Sequence, residues 1–71
     1  MATEVLAPVT GKVWKIEKRV GDAVEAGDAV MILESMKMEV PVEAPSAGTV
    51  SSLSRAEGDA VEEGDVLAII D

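Results

Sequence analysis

Gly21-Asp22-Ala23-Val24-Glu25-Ala26-Gly27-Asp28 returns 37 residues further on as Gly58-Asp59-Ala60-Val61-Glu62-Glu63-Gly64-Asp65. The same offset, without a gap, lays residues 1–34 on residues 38–71. Ala7/Ala44, Pro8/Pro45, Gly11/Gly48, Val13/Val50 and Ile32/Ile69 are further identical pairs; Ile16/Leu53, Val30/Leu67, Leu33/Ile70 and Glu34/Asp71 are chemically alike. A unit of this size cannot bury an apolar face by itself. The reading is therefore a single domain, residues 1–71, in which copies 1–34 and 38–71 close on each other about a pseudo-twofold with one shared core.

Each copy is punctuated for strands. Glycine at 11, 21, 27, 48, 58 and 64 recurs too often for helices, at a cost of about 1 kcal/mol for each interior glycine, and the β-branched residues between them favour extended chain. Strands are expected near Glu4–Ala7, Gly11–Lys18, Ala23–Val24, Ala29–Glu34, Met38–Glu43, Gly48–Ser54, Ala60–Val61 and Val66–Ile70. Alternation is imperfect through Lys12-Val13-Trp14-Lys15-Ile16. It is clean in Met38–Glu43, where Met38, Val40 and Val42 share a face. Pro41 cannot donate to a ladder and marks that strand as an edge or a bulge. Eight short strands with Gly-rich turns make an all-β fold, a flattened antiparallel β-sandwich or barrel.

The composition narrows function by exclusion. The chain has 71 residues, net charge −8, no Cys, no His, and Trp14 as its single aromatic residue. A Ser-His-Asp or Cys-His nucleophile cannot be built, nor an ordinary zinc site. Lys12, Lys15, Lys18, Arg19, Lys37 and Arg55 are too few to neutralise a phosphate backbone, so nucleic acid is not an expected partner. Nor is a membrane, since no apolar run approaches the length of a membrane span; Ala29–Leu33 already ends at Glu34. The absence of Cys and the start Met1-Ala2-Thr3-Glu4-Val5 lead to the expectation of a cytoplasmic protein. With so short a chain, nearly every Val, Ile and Leu is expected in the core.

Charge is shared unevenly. Residues 1–34 carry four cations and six carboxylates; residues 38–71 carry one cation and eight carboxylates. Such an acidic half is either a docking surface for a basic partner or a solvated face. The four Gly-Asp steps lack the dense ligand spacing of a calcium loop, and turn formation accounts for them.

What the repeat leaves over is Ser35-Met36-Lys37, the seam between the copies, which reads as a tight hairpin at the surface. Lys37 there is either a solubilising residue or a presented amine. Met36 and Met38 flank it, and large apolar side chains at a turn tip do not serve solubility. Met38 has two readings, core filler beside Val40 and Val42 or an exposed flank of Lys37.

Glu34-Ser35-Met36-Lys37-Met38-Glu39 resembles the attachment motif of biotinyl domains, Glu-Ala/Ser-Met-Lys-Met, and the Gly-Asp turns and Ala-Pro-X-X-Gly segments resemble the rest of that family over the whole chain. The likeness is to short biotin carboxyl carrier, or biotin/lipoyl attachment, proteins. It implies an eight-stranded barrel-sandwich hybrid with the modified lysine on the hairpin opposite the termini. Residue by residue, Lys37 corresponds to the biotin-accepting lysine, Met36 and Met38 to its motif flanks, and Glu34 and Ser35 to the preceding motif positions. Ser35 stands where the commoner motif has Ala, a small-for-small change.

The resemblance implies a non-catalytic carrier, monomeric when isolated, with covalent biotin as its cofactor. A lysine ammonium has a reference pKa of about 10.4, so activation of such an amine falls to a biotin protein ligase supplying biotinyl-adenylate. The amide formed would carry an arm of about 14 Å, estimated from about ten single bonds. A biotin carboxylase would load it with carboxylate and a carboxyltransferase would pass that on, commonly to an acyl-CoA. The alternative cofactor is lipoate, whose attachment motif usually reads Asp-Lys-Ala or Asp-Lys-Val; Met36 and Met38 favour biotin. An adaptor of the same sandwich fold would usually carry a helical hairpin where Ser35–Met38 stands.

Overall fold

The computed structural model describes residues 2–71. Eight strands follow in order: β1 (Thr3–Leu6), β2 (Gly11–Ile16), β3 (Ala23–Val24), β4 (Ala29–Ser35), β5 (Met38–Glu43), β6 (Gly48–Leu53), β7 (Ala60–Val61) and β8 (Val66–Ile70). They form two antiparallel four-stranded sheets, β1-β8-β6-β3 and β5-β4-β2-β7. The 37-residue shift exchanges β1 with β5, β2 with β6, β3 with β7 and β4 with β8, and so turns one sheet order into the other. Each sheet takes two strands from each copy.

The core follows the same symmetry. Its fourteen buried residues fall into seven pairs: Val5/Val42, Ala7/Ala44, Val13/Val50, Val24/Val61, Val30/Leu67, Met31/Ala68 and Leu33/Ile70. Val9, Ile16, Val40 and Leu53 pack around this cluster half-buried. No polar or charged residue is buried among the described residues, so packing rather than pairing holds the centre.

Each Gly-Asp step closes a turn with its own side chain. The Asp22 carboxylate accepts from the Arg19 N–H at 2.9 Å while the Asp22 N–H donates to the Arg19 carbonyl; Asp28 and Glu25, Asp59 and Ala56, and Asp65 and Glu62 repeat this arrangement. Gly21 and its counterpart Gly58 adopt φ of +98° and +93°, which L side chains rarely reach. The turns also clamp the other copy. Gly21-Asp22 exchanges two backbone hydrogen bonds with Val50, Gly58-Asp59 with Val13, Gly27-Asp28 with Ala44 and Gly64-Asp65 with Ala7, all at 2.7–2.9 Å. Turn formation accounts for these aspartates, since one carboxylate oxygen of each accepts from the backbone of its own turn.

Several sequence expectations need correction. β2 ends at Ile16 rather than Lys18, and β6 at Leu53 rather than Ser54. The expectation that nearly every aliphatic residue is internal fails at Leu6 and Val20, which are 47% and 59% exposed. Leu6 lies on the outer face of β1, which meets water whatever residue stands there, and Val20 lies in the turn before Gly21, off both sheets. The uneven alternation around Trp14 has a structural cause: the β2–β4 register slips between Val13 and Lys15, a bulge reproduced between Val50 and Ser52 in β6. Pro41 lies on β5, an edge strand, where its missing N–H costs no ladder bond.

Two close approaches and one burial contrast generate a stability test. A Cβ on Gly48 would stand 2.6 Å from the Asp71 carbonyl oxygen and 2.7 Å from Ile70 Cγ2, so Gly48→Ala should destabilise by about 1–3 kcal/mol. Leu33→Ala, at a fully buried site, should cost about 2–5 kcal/mol, and Leu6→Ala less than about 1 kcal/mol. Urea unfolding of the three variants measures the order; equal costs at positions 6 and 33 would contradict the assigned core.

Candidate functional site

β4 and β5 pair in register from Leu33↔Val40 through Glu34↔Glu39 to Ser35↔Met38, leaving a two-residue turn of Met36 and Lys37. Both turn residues have positive φ, 52° and 65°. This is the type I′ geometry, whose twist matches that of paired strands and whose usual occupants are Asn-Gly or Asp-Gly. An L side chain in that region costs roughly 1–2 kcal/mol per residue. Among the described residues, no other non-glycine has positive φ. Strain is thus concentrated at Met36 and Lys37.

The turn is narrower than the seam of the sequence repeat, because Ser35 belongs to β4. Its hydroxyl donates to the Thr10 carbonyl oxygen at 2.8 Å, and the Thr10 hydroxyl in turn accepts from the Glu63 N–H at 3.2 Å. Beside them Gly11 lies so close to β4 that any Cβ would collide with the Glu34 carbonyl oxygen. The base of the hairpin is thereby fixed to the chain that enters β2. Ser35 is more than a small residue, which corrects the small-for-small reading. Thr10 was missed from the sequence, although its counterpart Ala47 shows that the repeat breaks there.

Met36 is 93% exposed and Met38 66% exposed, and Lys37 between them is exposed too. Of the two readings of Met38, core filler is overturned. Although it alternates in phase with Val40 and Val42, it stands at the hairpin end of β5 and is left mostly exposed. Lys37 makes no ion pair among the described residues. Glu34 and Glu39 face each other one register step below, and Lys12 of β2 is opposite Glu34 on its other side.

The described residues enclose no pocket, and no group of three or more metal-ligating side chains forms among them. What the fold displays is a convex tip carrying one primary amine between two thioethers. Such a tip can enter another protein's active site and can be acylated there.

The fold is an all-β sandwich that presents a lysine at the hairpin between two structural repeats. Over residues 1–70 the chain matches the Biotin_lipoyl family model, described as "Biotin-requiring enzyme", and it belongs to that family. It is 50% identical over 34 residues to the biotin/lipoyl attachment protein of Bacillus subtilis, spanning 48% of this chain and 47% of that one. To the biotinylated protein TB7.3 of Mycobacterium bovis it is 45% identical over 42 residues, 59% of each chain. These alignments thus span about half the length of the curated relatives. In the crystal structure of the Kluyveromyces lactis urea carboxylase, a region covering 100% of this chain and 6% of that one superposes with TM-score 0.95 at 44% identity.

The strained turn makes its own test. Met36→Val should lose about 1–2 kcal/mol, because a β-branched side chain is the worst fit to positive φ. Met36→Gly should change stability by less than about 1 kcal/mol, since relief of strain opposes the greater freedom of the unfolded chain. Chemical denaturation compares them, and a more stable Val variant would contradict the turn geometry. Ser35→Ala should cost about 1 kcal/mol through loss of its hydrogen bond to Thr10.

Proposed function

We propose that this protein is a biotin carboxyl carrier, with Lys37 the residue that a biotin protein ligase modifies. One observation carries the reading: the chain spends backbone strain to hold a single lysine at the tip of a two-residue turn, between two exposed methionines. The family's description and the biotinylated relative support biotin as the cofactor, and the carboxylase likeness supports carboxyl transfer as its use.

Each part of the hairpin has a task in this reading. The Lys37 ε-amine would attack the acyl carbon of the ligase's biotinyl-adenylate, so that the amide forms as the acyl–phosphate bond breaks and AMP leaves, the proton passing to a base in the ligase site. Amide formation removes the lysine charge. The hydrogen bond from Ser35 to Thr10 and the contact at Gly11 keep the base of the hairpin still, so that motion resides in the arm rather than in the fold. Met36 and Met38 offer polarizable, adaptable apolar surface to whichever enzyme receives the tip. Bound biotin supplies a ureido nitrogen able to accept carboxylate from a biotin carboxylase and release it in a carboxyltransferase. No group of the carrier need take part in either transfer.

The deciding measurement is intact mass after the protein is incubated separately with a biotin protein ligase and with a lipoyl-transferring enzyme. One biotinyl group on the wild type, none on Lys37→Arg, and an unchanged far-ultraviolet spectrum for that variant are the expected results. Labelling retained in Lys37→Arg would move the site elsewhere; lipoylation without biotinylation would replace the cofactor. Met36→Asp with Met38→Ala, which rebuilds the lipoyl-type Asp-Lys-Ala, should lower biotinylation while leaving the fold intact, because both side chains are exposed.

A further inference from the structure

The pseudo-twofold provides an internal control for every surface residue, since whatever the fold needs is present in both copies. Trp14 fails that comparison. Its counterpart Ser51 occupies the same bulge in β6, so neither the bulge nor the core requires an indole, yet Trp14 is held 50% exposed on the outer face of the hairpin-bearing sheet. Register places it beside Lys15↔Ile32 and Ile32↔Pro41, which gives an outward apolar row of Trp14, Ile32 and Pro41 across β2, β4 and β5. The equivalent row on the other sheet is Ser51, Ile69 and Glu4. Cations share the asymmetry: Lys12 and Lys15 on β2 stand where β6 has Thr49 and Ser52.

We propose that this face, anchored by Trp14 and edged by Lys12 and Lys15, is the docking surface for the biotin protein ligase, which meets it with an apolar pocket whose rim sets carboxylates against the lysines and cations against Glu34 and Glu39. The proposal rests on the carrier reading and names a surface beyond the motif. Reach selects the ligase over the enzymes that act later. An unmodified lysine extends only about 6 Å from its Cα, five bonds, so the ligase must draw the tip itself into its site; the finished arm of about 14 Å lets later enzymes stand off. Ile32 lies four residues below Met36, about 13 Å at strand rise. A standard interface of about 800 Å² per partner, taken as a disc centred on the tip, has a radius of about 16 Å and covers the Trp14 row. Tryptophan is also among the residues most often found to dominate binding energy. The edge of this face is mixed in charge, Lys15 pairing with Glu17 at 3.5 Å and Lys12 standing opposite Glu34 with Glu39 beyond it, so the partner's rim must offer both signs in complementary places.

The test measures biotinylation kinetics of the unmodified chain with a biotin protein ligase, biotin and ATP. Trp14→Ser installs the residue of its own counterpart, so the fold should persist. The expected result is a fall in kcat/KM of about tenfold or more, mainly through KM, with Lys37 still fully modified at high carrier concentration. Lys12→Thr with Lys15→Ser should raise KM severalfold and flatten its dependence on salt. Independently of any variant, wild type labelled with fluorotryptophan should show its single fluorine resonance shift on addition of ligase alone. A folded Trp14→Ser with kcat/KM within twofold of wild type, or an unmoved resonance, overturns the docking surface and leaves the carrier intact. A Trp14-dependent dimer of this chain in sedimentation would also overturn it, by assigning the face to a second copy. A wild type that no ligase modifies overturns the carrier reading and this surface with it.

Discussion

The reciprocal backbone hydrogen bonds between each Gly-Asp step and the other copy are the constraint on which the rest of the molecule depends. Val13, Val50, Ala7 and Ala44 are core residues, and each is held by the turn of the opposite copy. The turns therefore dictate which strands stack over which. An isolated copy would leave those N–H and C=O groups unpaired and its half of seven core pairs exposed, so neither copy can fold without its mate. Aspartate suits the task because its carboxylate satisfies the N–H three residues back, leaving its own carbonyl free to accept from across the core.

That interlocking frees the seam. Under the pseudo-twofold, the β4–β5 pair corresponds to β8 and β1, which also pair, Ile70 opposite Thr3, without a connecting turn. The fold thus needs the pairing but not the Met36-Lys37 link as such. Residues there can be chosen for presentation at some cost in conformational energy, which the surrounding sheets sustain. The outcome is a convex surface that holds the Lys37 amine out at a defined place; on the proposed carrier reading, chemistry would belong to the enzymes that receive it.

Symmetry also separates structural from functional residues without recourse to any other sequence. Positions alike in both copies, the Gly-Asp steps and the paired aliphatics, build the sandwich. Three of the positions that differ, Trp14 against Ser51, Lys12 against Thr49 and Thr10 against Ala47, place the larger or more polar residue on or beside the sheet that carries the hairpin. An ancestral duplication would leave this pattern if one copy acquired partners while the other kept only the fold.

The sequence alone determined a two-copy, eight-strand sandwich, because Gly-Asp punctuation and the gapless offset are local signals that survive without any knowledge of contacts. The lysine too was legible, as the one cation at the seam and the centre of a Met-Lys-Met motif. Tertiary structure decided what depends on residues distant in the chain. The Gly-Asp steps read as turns and nothing more, since their clamping partners lie between 16 and 58 residues away in sequence. Ser35 looked interchangeable with Ala because Thr10, its hydrogen-bond acceptor, is brought to it only by the β2–β4 pairing. The positive φ at Met36 and Lys37 had no sequence mark, for neither is Gly or Asn; the register of β4 on β5 imposes it. Met38 escaped the core that its alternation allowed, because it stands at the hairpin end of β5, and how far along a strand a face stays buried is settled only when the two copies close.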